Sequence, residues 1–242
     1  MSGAALIIGA GDATGGAIGR AFASEGYHAC LVRRPRGLEA LEALAQSIRE
    51  DGRAASAFGV DARDEDQMIA LFDQVEDEIG PIEVVVFNIG ANVNFAIEDT
   101  SARVYRKVWE MAAFAGFLVG REAARRMKPR GRGTVLFTGA TASLRGGKGY
   151  SAFAGAKFAL RALAQSMARE LGPSNIHVAH IIIDGAIDGA FIEQFVDDID
   201  SLRAEDAVLS PDDIAANYVW LHNQPRSAWT HELDLRPWRE KW

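Results

Sequence analysis

Cysteine is nearly absent from this sequence, because Cys30 is the one cysteine among 242 residues. A disulfide needs two thiols, so no internal disulfide can form, and neither a cysteine metal cluster nor a redox pair is available. His177 and His180 alternate on a predicted strand, but no carboxylate stands at ligand spacing beside them. The sequence therefore predicts no metal site.

An excess of positive charge is also absent. The chain has 26 Lys and Arg residues against 33 Asp and Glu residues, a formal net charge of −7. Such a surface repels nucleic acids and anionic membranes on average. No apolar run is long enough to span a bilayer, and no basic N-terminal stretch with an apolar segment precedes the first predicted strand. We therefore expect a cytoplasmic protein with a small-molecule substrate, and neither a nucleic-acid nor a membrane partner.

Short β-type segments alternate with longer segments of helical period. The predicted strands are 4–8, 29–32, 54–59, 84–87, 134–138, 176–183 and 230–235, and the predicted helices are 38–50, 64–80, 102–127, 150–171 and 212–222. Residues 84–87 are apolar at successive positions, which is typical of parallel strands covered on both faces. No linker or repeat marks a boundary. The pattern predicts one α/β domain over residues 1–242, with a single doubly wound parallel sheet and helices on both faces.

A glycine-rich turn follows the first predicted strand directly. It contains Gly9, Gly11, Thr14, Gly15 and Gly19, and a segment of helical character begins at its end. Residues without Cβ let the backbone approach a pyrophosphate, and the N–H groups at a helix N-terminus attract the phosphate oxygens. A flexible loop is the alternative interpretation. The position of the turn favours a dinucleotide-binding domain of the Rossmann type.

The second predicted strand ends in Arg33 and Arg34. In a dinucleotide-binding domain this position faces the adenosine ribose. An acidic residue there accepts a hydrogen bond from a free 2′-hydroxyl, whereas arginine suits a 2′-phosphate. The alternative is a solvated strand end. We therefore expect NADP rather than NAD as the cofactor.

In the order of its motifs the chain resembles the short-chain dehydrogenase/reductase superfamily over nearly its whole length. Beyond the glycine turn, the resemblance rests on Asp61-Ala62, Asn88-Ile89-Gly90, Lys157 and Asp184-Gly185, the last pair standing at the usual Pro-Gly position. It implies that Asp61 and Ala62 contact adenine, and that Asn88, Gly90, Lys157 and Gly185 belong to the cofactor site. It also implies an oxidoreductase.

Three of the four catalytic positions differ from those of ordinary members of this superfamily. Ala113 stands where they have Asn, Ala140 where they have Ser, and Phe153 where they have the Tyr four residues before the Lys. Compared with that pattern alone, the chain resembles a nucleotide-binding protein with a degenerate active site.

A divergent branch, typified by the enoyl-acyl-carrier-protein reductases, is more similar. Its Tyr lies seven residues before the Lys, the spacing of Tyr150 and Lys157, and its glycine turn has the longer spacing found here. The second, outer Tyr of that branch falls on Ala140. The resemblance implies Tyr150 as proton donor, and Lys157 as the group that binds the nicotinamide ribose and lowers the pKa of the tyrosine.

These residues suit hydride transfer chemistry. A tyrosine hydroxyl has an unperturbed pKa of about 10, and a nearby ammonium makes its proton more available. We expect an NADP(H)-dependent reductase of a conjugated enone, an enoyl compound or a carbonyl compound. The alternatives are a ketone or alcohol dehydrogenase of the same superfamily, and a nucleotide-binding protein without turnover.

The remaining expectations concern the lid and the assembly. In this superfamily the segment corresponding to 186–210 builds a substrate lid, here with the apolar residues Phe191, Ile192, Phe195 and Val196. The helices beginning at Ala102 and Tyr150 resemble the pair that forms dimer faces, which implies a homodimer or homotetramer. Trp238 and Trp242 either pack at such an interface or close the core.

Overall fold

The structure is a computed structural model that describes residues 3–190, 192–194 and 198–240. In this part of the chain the strands are β1 Ala4–Ile8, β2 His28–Arg33, β3 Ala55–Gly59, β4 Ile82–Phe87, β5 Gly133–Thr138, β6 Ile176–Ile183 and β7 Glu232–Leu235. The α-helices are α1 Thr14–Ser24, α2 Leu38–Glu50, α3 Glu65–Glu78, α4 Ala102–Trp109, α5 Ala115–Arg130, α6 Ser151–Leu171, α7 Ile199–Ala204 and α8 Pro211–His222.

The strands form one sheet in the order β3-β2-β1-β4-β5-β6-β7. Each neighbouring pair is parallel. The chain builds outward from β1 in one direction to β3 and then in the other direction to β7, so the predicted doubly wound parallel sheet is confirmed. The carboxyl ends of β1 and β4 meet at the point where this direction changes, which is where open α/β sheets bind ligands.

The helices cover both faces of the sheet with apolar side chains. One core cluster joins the sheet to α3, α5 and α6. The other joins it to α1, α2 and α8. Successive residues of β1 alternate between the two clusters, with Leu6 in the first and Ile7 in the second. Because both faces are buried, the strands need apolar residues at successive positions, as the sequence pattern indicates.

Two predicted helices differ from those in the structure. The predicted helix 102–127 is two helices, α4 and α5, joined by a π-helical turn over Glu110–Phe114. A side chain on Gly116 would lie 2.5 Å from Leu160 Cδ1, so α5 packs closely on α6 just after this turn. The helix after the glycine turn begins at Thr14, within the predicted turn. Its glycines have poor helix propensity, which tertiary packing overrides.

The lid segment contains a 3-10 turn at Ile192–Gln194 and the short helix α7. The predicted lid residues Phe191, Phe195 and Val196, and also Trp242, lie outside the described residues. Among the described residues, no helix combines the length and apolar character that crossing a bilayer requires.

Candidate nucleotide-binding and active site

A cleft of about 500 Å³ opens at the carboxyl ends of the strands, beside β1 and β4. Segments that follow four neighbouring strands line it. The cleft brings together eight of the predicted cofactor residues: Gly9, Gly11, Arg33, Arg34, Asp61, Ala62, Asn88 and Gly90. The sheet topology therefore assembles into one site residues that are widely separated in the sequence.

The glycine turn is shaped by close backbone contacts. Gly9 has a φ of +94°, and a Cβ on it would lie 2.8 Å from the carbonyl oxygen of Asn88. A Cβ on Gly15 would lie 2.5 Å from the carbonyl oxygen of Gly9. Asn88 Nδ2 donates a hydrogen bond to that same oxygen at 3.2 Å. The turn therefore needs glycine at both positions, and Asn88 fixes it to the end of β4.

Other glycines have different surroundings. At Gly11 and Gly90, a Cβ would meet no atom within 4 Å, so the backbone there borders open space in the cleft. A Cβ on Gly19 would lie 2.5 Å from Leu31 Cδ2. Gly19 thus lies in α1 and permits close helix–strand packing. Thr14 is the first residue of α1, so the helix N-terminus adjoins the glycine turn and offers N–H groups to a phosphate.

Arginine side chains surround the end of the cleft that lies beside β2 and β3, where the adenosine ribose is expected. Arg33 Nη1 lies 3.8 Å from Asp12 Oδ1. Partial burial, followed by the neighbouring guanidinium groups of Arg36 and Arg63, lowers the pKa of Arg34. Arg36 and Arg63 also line the cleft, and neither was predicted. Each stands two residues after a predicted site residue, Arg34 or Asp61, which is the signal that could have indicated them.

Lys157 lies beneath the carboxyl ends of β4 and β5. Its side chain is buried, with 2% of the residue exposed. Nζ donates hydrogen bonds to the carbonyl oxygens of Ile89, at 3.1 Å, and Thr138, at 2.8 Å. Burial lowers the pKa of this lysine to about 8. The carbonyl groups hold the ammonium in place while burial makes its proton easier to lose.

The positions around Lys157 are largely apolar. Phe153 is buried, and its ring centroid lies 5.8 Å from Lys157 Nζ. Ala113 is buried in the π-helical turn. Ala140 packs against the small cluster of Ala142, Phe153 and Ala154. Where the superfamily has three polar groups, this chain presents apolar surface.

Tyr150 is the N-cap residue of α6, so the helix begins one residue later than predicted. Its ring centroid lies 6.5 Å from that of Phe153, at an interplanar angle of 56°. Phe153 therefore contacts Tyr150 and also the ammonium of Lys157. Tyr150 and Lys157 therefore do not lie on one face of a continuous helix, as was expected. Tyr150 precedes α6, and Phe153 contacts both residues.

A buried carboxylate at the end of β6 ties three segments together. Asp184 accepts a hydrogen bond from the hydroxyl of Thr141 in the loop after β5. Its other oxygen lies 3.3 Å from Arg236 Nη2 of the C-terminal segment, and Arg145 Nη2 is 3.9 Å from its first oxygen. Gly185 has a φ of +150°, and a Cβ on it would lie 2.6 Å from Pro237 Cδ. This role of Asp184 was not predicted, because its partners are distant in the sequence.

In the described part of the chain, no group of three or more His, Cys, Asp and Glu side chains is arranged to hold a metal ion. The fold, the glycine turn and the cleft together define a dinucleotide-binding α/β protein with a buried lysine beside the cleft.

Comparisons with known proteins agree with this class. The family model described as short chain dehydrogenase matches residues 3–198. A crystal structure of a short-chain dehydrogenase from Rhodopseudomonas palustris is similar, with 46% identity and a TM-score of 0.84, covering 98% of this chain and 100% of the other. The chain belongs to the short-chain dehydrogenase/reductase family, which is a family of oxidoreductases.

Curated relatives are more distant. An uncharacterized oxidoreductase, YuxG, of Bacillus subtilis is 30% identical over 78% of this chain. The match covers only 27% of the length of that relative. A 3alpha-hydroxysteroid dehydrogenase of Mediterraneibacter gnavus is 27% identical over 82% of this chain and 78% of its own. A versicolorin reductase of Emericella nidulans is 29% identical over 76% of this chain and 68% of its own.

Proposed function

We propose that this protein is an NADP(H)-dependent reductase of a small molecule, either a conjugated enone or enoyl compound or a carbonyl compound. The observation that carries the proposal is the buried ammonium of Lys157, held by Ile89 and Thr138 at the strand ends beside a glycine-lined cleft. Burying a charge costs free energy that hydrogen bonds only partly offset, so a buried lysine without a carboxylate partner is a candidate for function. Here it lies where a dinucleotide-binding sheet meets its ligand.

The residues of the cleft fit a nicotinamide dinucleotide. Gly11 and Gly90 leave room along the backbone, and the N-terminus of α1 favours a pyrophosphate. Arg33 and Arg34 offer positive charge at the ribose end, which favours NADP over NAD. Thr14, Asp61, Ala62, Asn88 and Gly185 complete the proposed cofactor site.

When bound, the cofactor supplies a hydride. The protein must then stabilise negative charge on a substrate oxygen and deliver a proton. In this proposal the hydroxyl of Tyr150 donates that proton, and Lys157 stabilises the resulting phenolate by its charge. With a pKa of about 8, Lys157 is mostly protonated at neutral pH. Ala140 and Phe153 contribute apolar surface beside Lys157 and Tyr150.

Carbonyl reduction is the second candidate reaction. It is supported by the names of two relatives, a 3alpha-hydroxysteroid dehydrogenase and a versicolorin reductase. The enone proposal is supported by the seven-residue spacing of Tyr150 and Lys157.

A nucleotide-binding protein without turnover is the candidate from a different class. The apolar character of Ala113, Ala140 and Phe153 favours it, because these positions supply no hydroxyl or amide to a substrate oxygen.

Substitution of Tyr150 separates these candidates. Purified protein is mixed with NADPH and a panel of enones and ketones, and the cofactor absorbance is followed. We expect oxidation with at least one class, and a loss of turnover in Tyr150→Phe with nucleotide affinity retained. Tyr27→Phe is the matched control. Tyr27 lies just before β2, at the opposite end of the sheet, and its hydroxyl forms a hydrogen bond with His222. An unaltered rate in Tyr150→Phe removes Tyr150 from the mechanism, and no oxidation across the panel favours the binding protein.

We also propose a homodimer or homotetramer, in the cytoplasm. An aromatic face on α4, α5 and the π-helical turn supports the assembly. Trp109 stacks on Phe114 at 6.1 Å, and Phe114 stacks on Phe117 at 6.3 Å. Trp109 and Phe117, at the two ends of this stacked row, remain 43% and 42% exposed. Exposed aromatic rings packed together in this way favour an interaction surface. Light scattering that shows only monomer contradicts this assembly.

A further inference from the structure

The end of the cleft where the ribose is expected, here called the ribose end, carries two arginines besides Arg33 and Arg34. Arg33 is the last residue of β2, Arg34 follows it, Arg36 lies in the 3-10 turn Pro35–Gly37, and Arg63 lies in the segment after β3. Asp12 lies beside Arg33 and Asp61 beside Arg63, and the charge of Glu110 also acts on Arg63. Four guanidinium groups therefore face three carboxylates, and positive charge prevails at this end.

Arg63 and Asp61 form a two-pronged ion pair. Arg63 Nε donates to Asp61 Oδ1 at 3.0 Å, and Nη2 donates to Oδ2 at 2.6 Å. The backbone N–H of Arg63 also donates to Oδ1, at 3.1 Å. These bonds lower the pKa of Asp61, so the carboxylate stays charged and its charge is matched by Arg63. An unpaired carboxylate at this place repels a phosphate group.

The start of α2 adds to the positive field. This helix of 13 residues begins directly after the Pro35–Gly37 turn, and its N-cap residue, Gly37, makes no side-chain capping bond. The positive end of the helix dipole therefore points to the same region as Arg36. Partial burial and the guanidinium groups of Arg36 and Arg63 lower the pKa of Arg34, whereas the carboxylate of Asp61 acts in the other direction. A cluster of like charges in a cleft gains stability when an anion binds.

We propose that Arg63 is a specificity-determining residue for nucleotides that carry a 2′-phosphate, and that it acts by neutralising Asp61. With Asp61 matched, Arg34, Arg36 and the N-terminus of α2 are left to attract the phosphate. This proposal rests on the proposed function, because it takes the bound nucleotide to be the cofactor. It also changes the expected role of Asp61, because both of its oxygens are engaged by Arg63 rather than open to adenine.

Two fragments of the cofactors test this proposal without any substrate. Adenosine 2′,5′-bisphosphate carries the 2′-phosphate, and adenosine 5′-monophosphate lacks it but is otherwise identical. Isothermal titration of the wild type is expected to show at least tenfold tighter binding of the 2′-phosphorylated nucleotide. In Arg63→Gln this preference is expected to fall about tenfold, with the affinity for adenosine 5′-monophosphate changed less than threefold.

Three further variants locate the effect. Arg132→Gln is the matched control, because it removes a two-pronged ion pair with Glu83 away from the cleft. It is expected to change neither affinity. Asp61→Asn is expected to retain or increase affinity for the 2′-phosphorylated nucleotide. The double variant Asp61→Asn/Arg63→Gln is expected to recover at least fivefold of the affinity lost in Arg63→Gln. Thermal unfolding of each variant verifies that it is folded.

The outcomes separate this proposal from the proposed function. Equal losses for both nucleotides in Arg63→Gln, or no recovery in the double variant, overturn the role of Arg63 and leave a reductase intact. Equal binding of the two nucleotides by the wild type also overturns it, and leaves a reductase without a preference for NADP. Binding of neither nucleotide overturns this proposal together with the proposed function.

Discussion

The two ends of the cleft differ in how fully they keep the polar groups of the family. At the nucleotide end, glycines stand where backbone contacts leave no room for a side chain, as at Gly9 and Gly15. At the reaction end, Lys157 keeps its place, whereas Ala140 and Phe153 replace hydroxyl groups. Binding and chemistry are therefore separable here: the first depends on backbone shape and charge, and the second on a few hydroxyl groups.

The largest effect is expected at the residue shared by both ends. Lys157→Met removes the buried charge, so we expect turnover to fall by about 100-fold or more. Nucleotide affinity also falls, because the ammonium beside the cleft is lost. Lys148→Met is the control, since Lys148 is exposed in the loop before α6. Steady-state rates with NADPH measure the effect, and a rate within threefold of the wild type contradicts a role for Lys157.

Restoring a hydroxyl group at the reaction end tests whether the missing hydroxyl groups limit the chemistry. Phe153→Tyr extends a ring that already lies beside Lys157 Nζ. We expect ketone reduction to rise by about tenfold or more, as proton transfer by a positioned acid gains at least this much. Phe158→Tyr, on the same helix but exposed, serves as control. If both variants behave alike, the hydroxyl group is not what the reaction end lacks.

Charge at the nucleotide end is expected to have a smaller effect. Arg33→Asp replaces a cleft arginine with a carboxylate, so the ratio of NADPH to NADH affinity should fall about tenfold. Arg20→Asp on the exposed side of α1 makes the same change in charge outside the cleft. An unchanged ratio in Arg33→Asp refutes the NADP preference at this residue.

The remaining expected effect is on stability rather than on binding or turnover, and it comes from a histidine behind the reaction end. Burial lowers the pKa of His180 to about 4, although the nearby carboxylate of Glu232 acts in the other direction. As pH falls below about 6.5, the unfolded chain binds a proton before the folded chain does, so stability declines between pH 6.5 and pH 4. The loss from this group is about 2 kcal/mol at pH 5.

Urea unfolding at pH 7 and pH 5 measures this loss. His180→Gln removes the titrating group, so the difference in unfolding free energy between the two pH values should shrink by that amount. An unchanged difference would show that other groups cause the acid sensitivity.

Much of the fold follows from the sequence, because the inner strands such as β1 and β6 are buried on both faces and their apolar runs mark them. Strand β6 and helix α2 have the predicted bounds, and the end of α6 at Leu171 follows from Gly172-Pro173. The π-helical turn at Glu110–Phe114 was not predicted, since no glycine or proline marks it and close packing of α5 on α6 accompanies it. The pairing of Asp184 with Arg236 depends on where the C-terminal segment crosses β6, which local pattern does not specify.

The most direct test of the account is a titration of the wild-type protein with NADPH and with NADH, followed by tryptophan and nicotinamide fluorescence. The account predicts saturable binding of both nucleotides, with NADPH at least tenfold tighter. Absence of saturable binding by either nucleotide would contradict the assignment of the cleft as a nucleotide site.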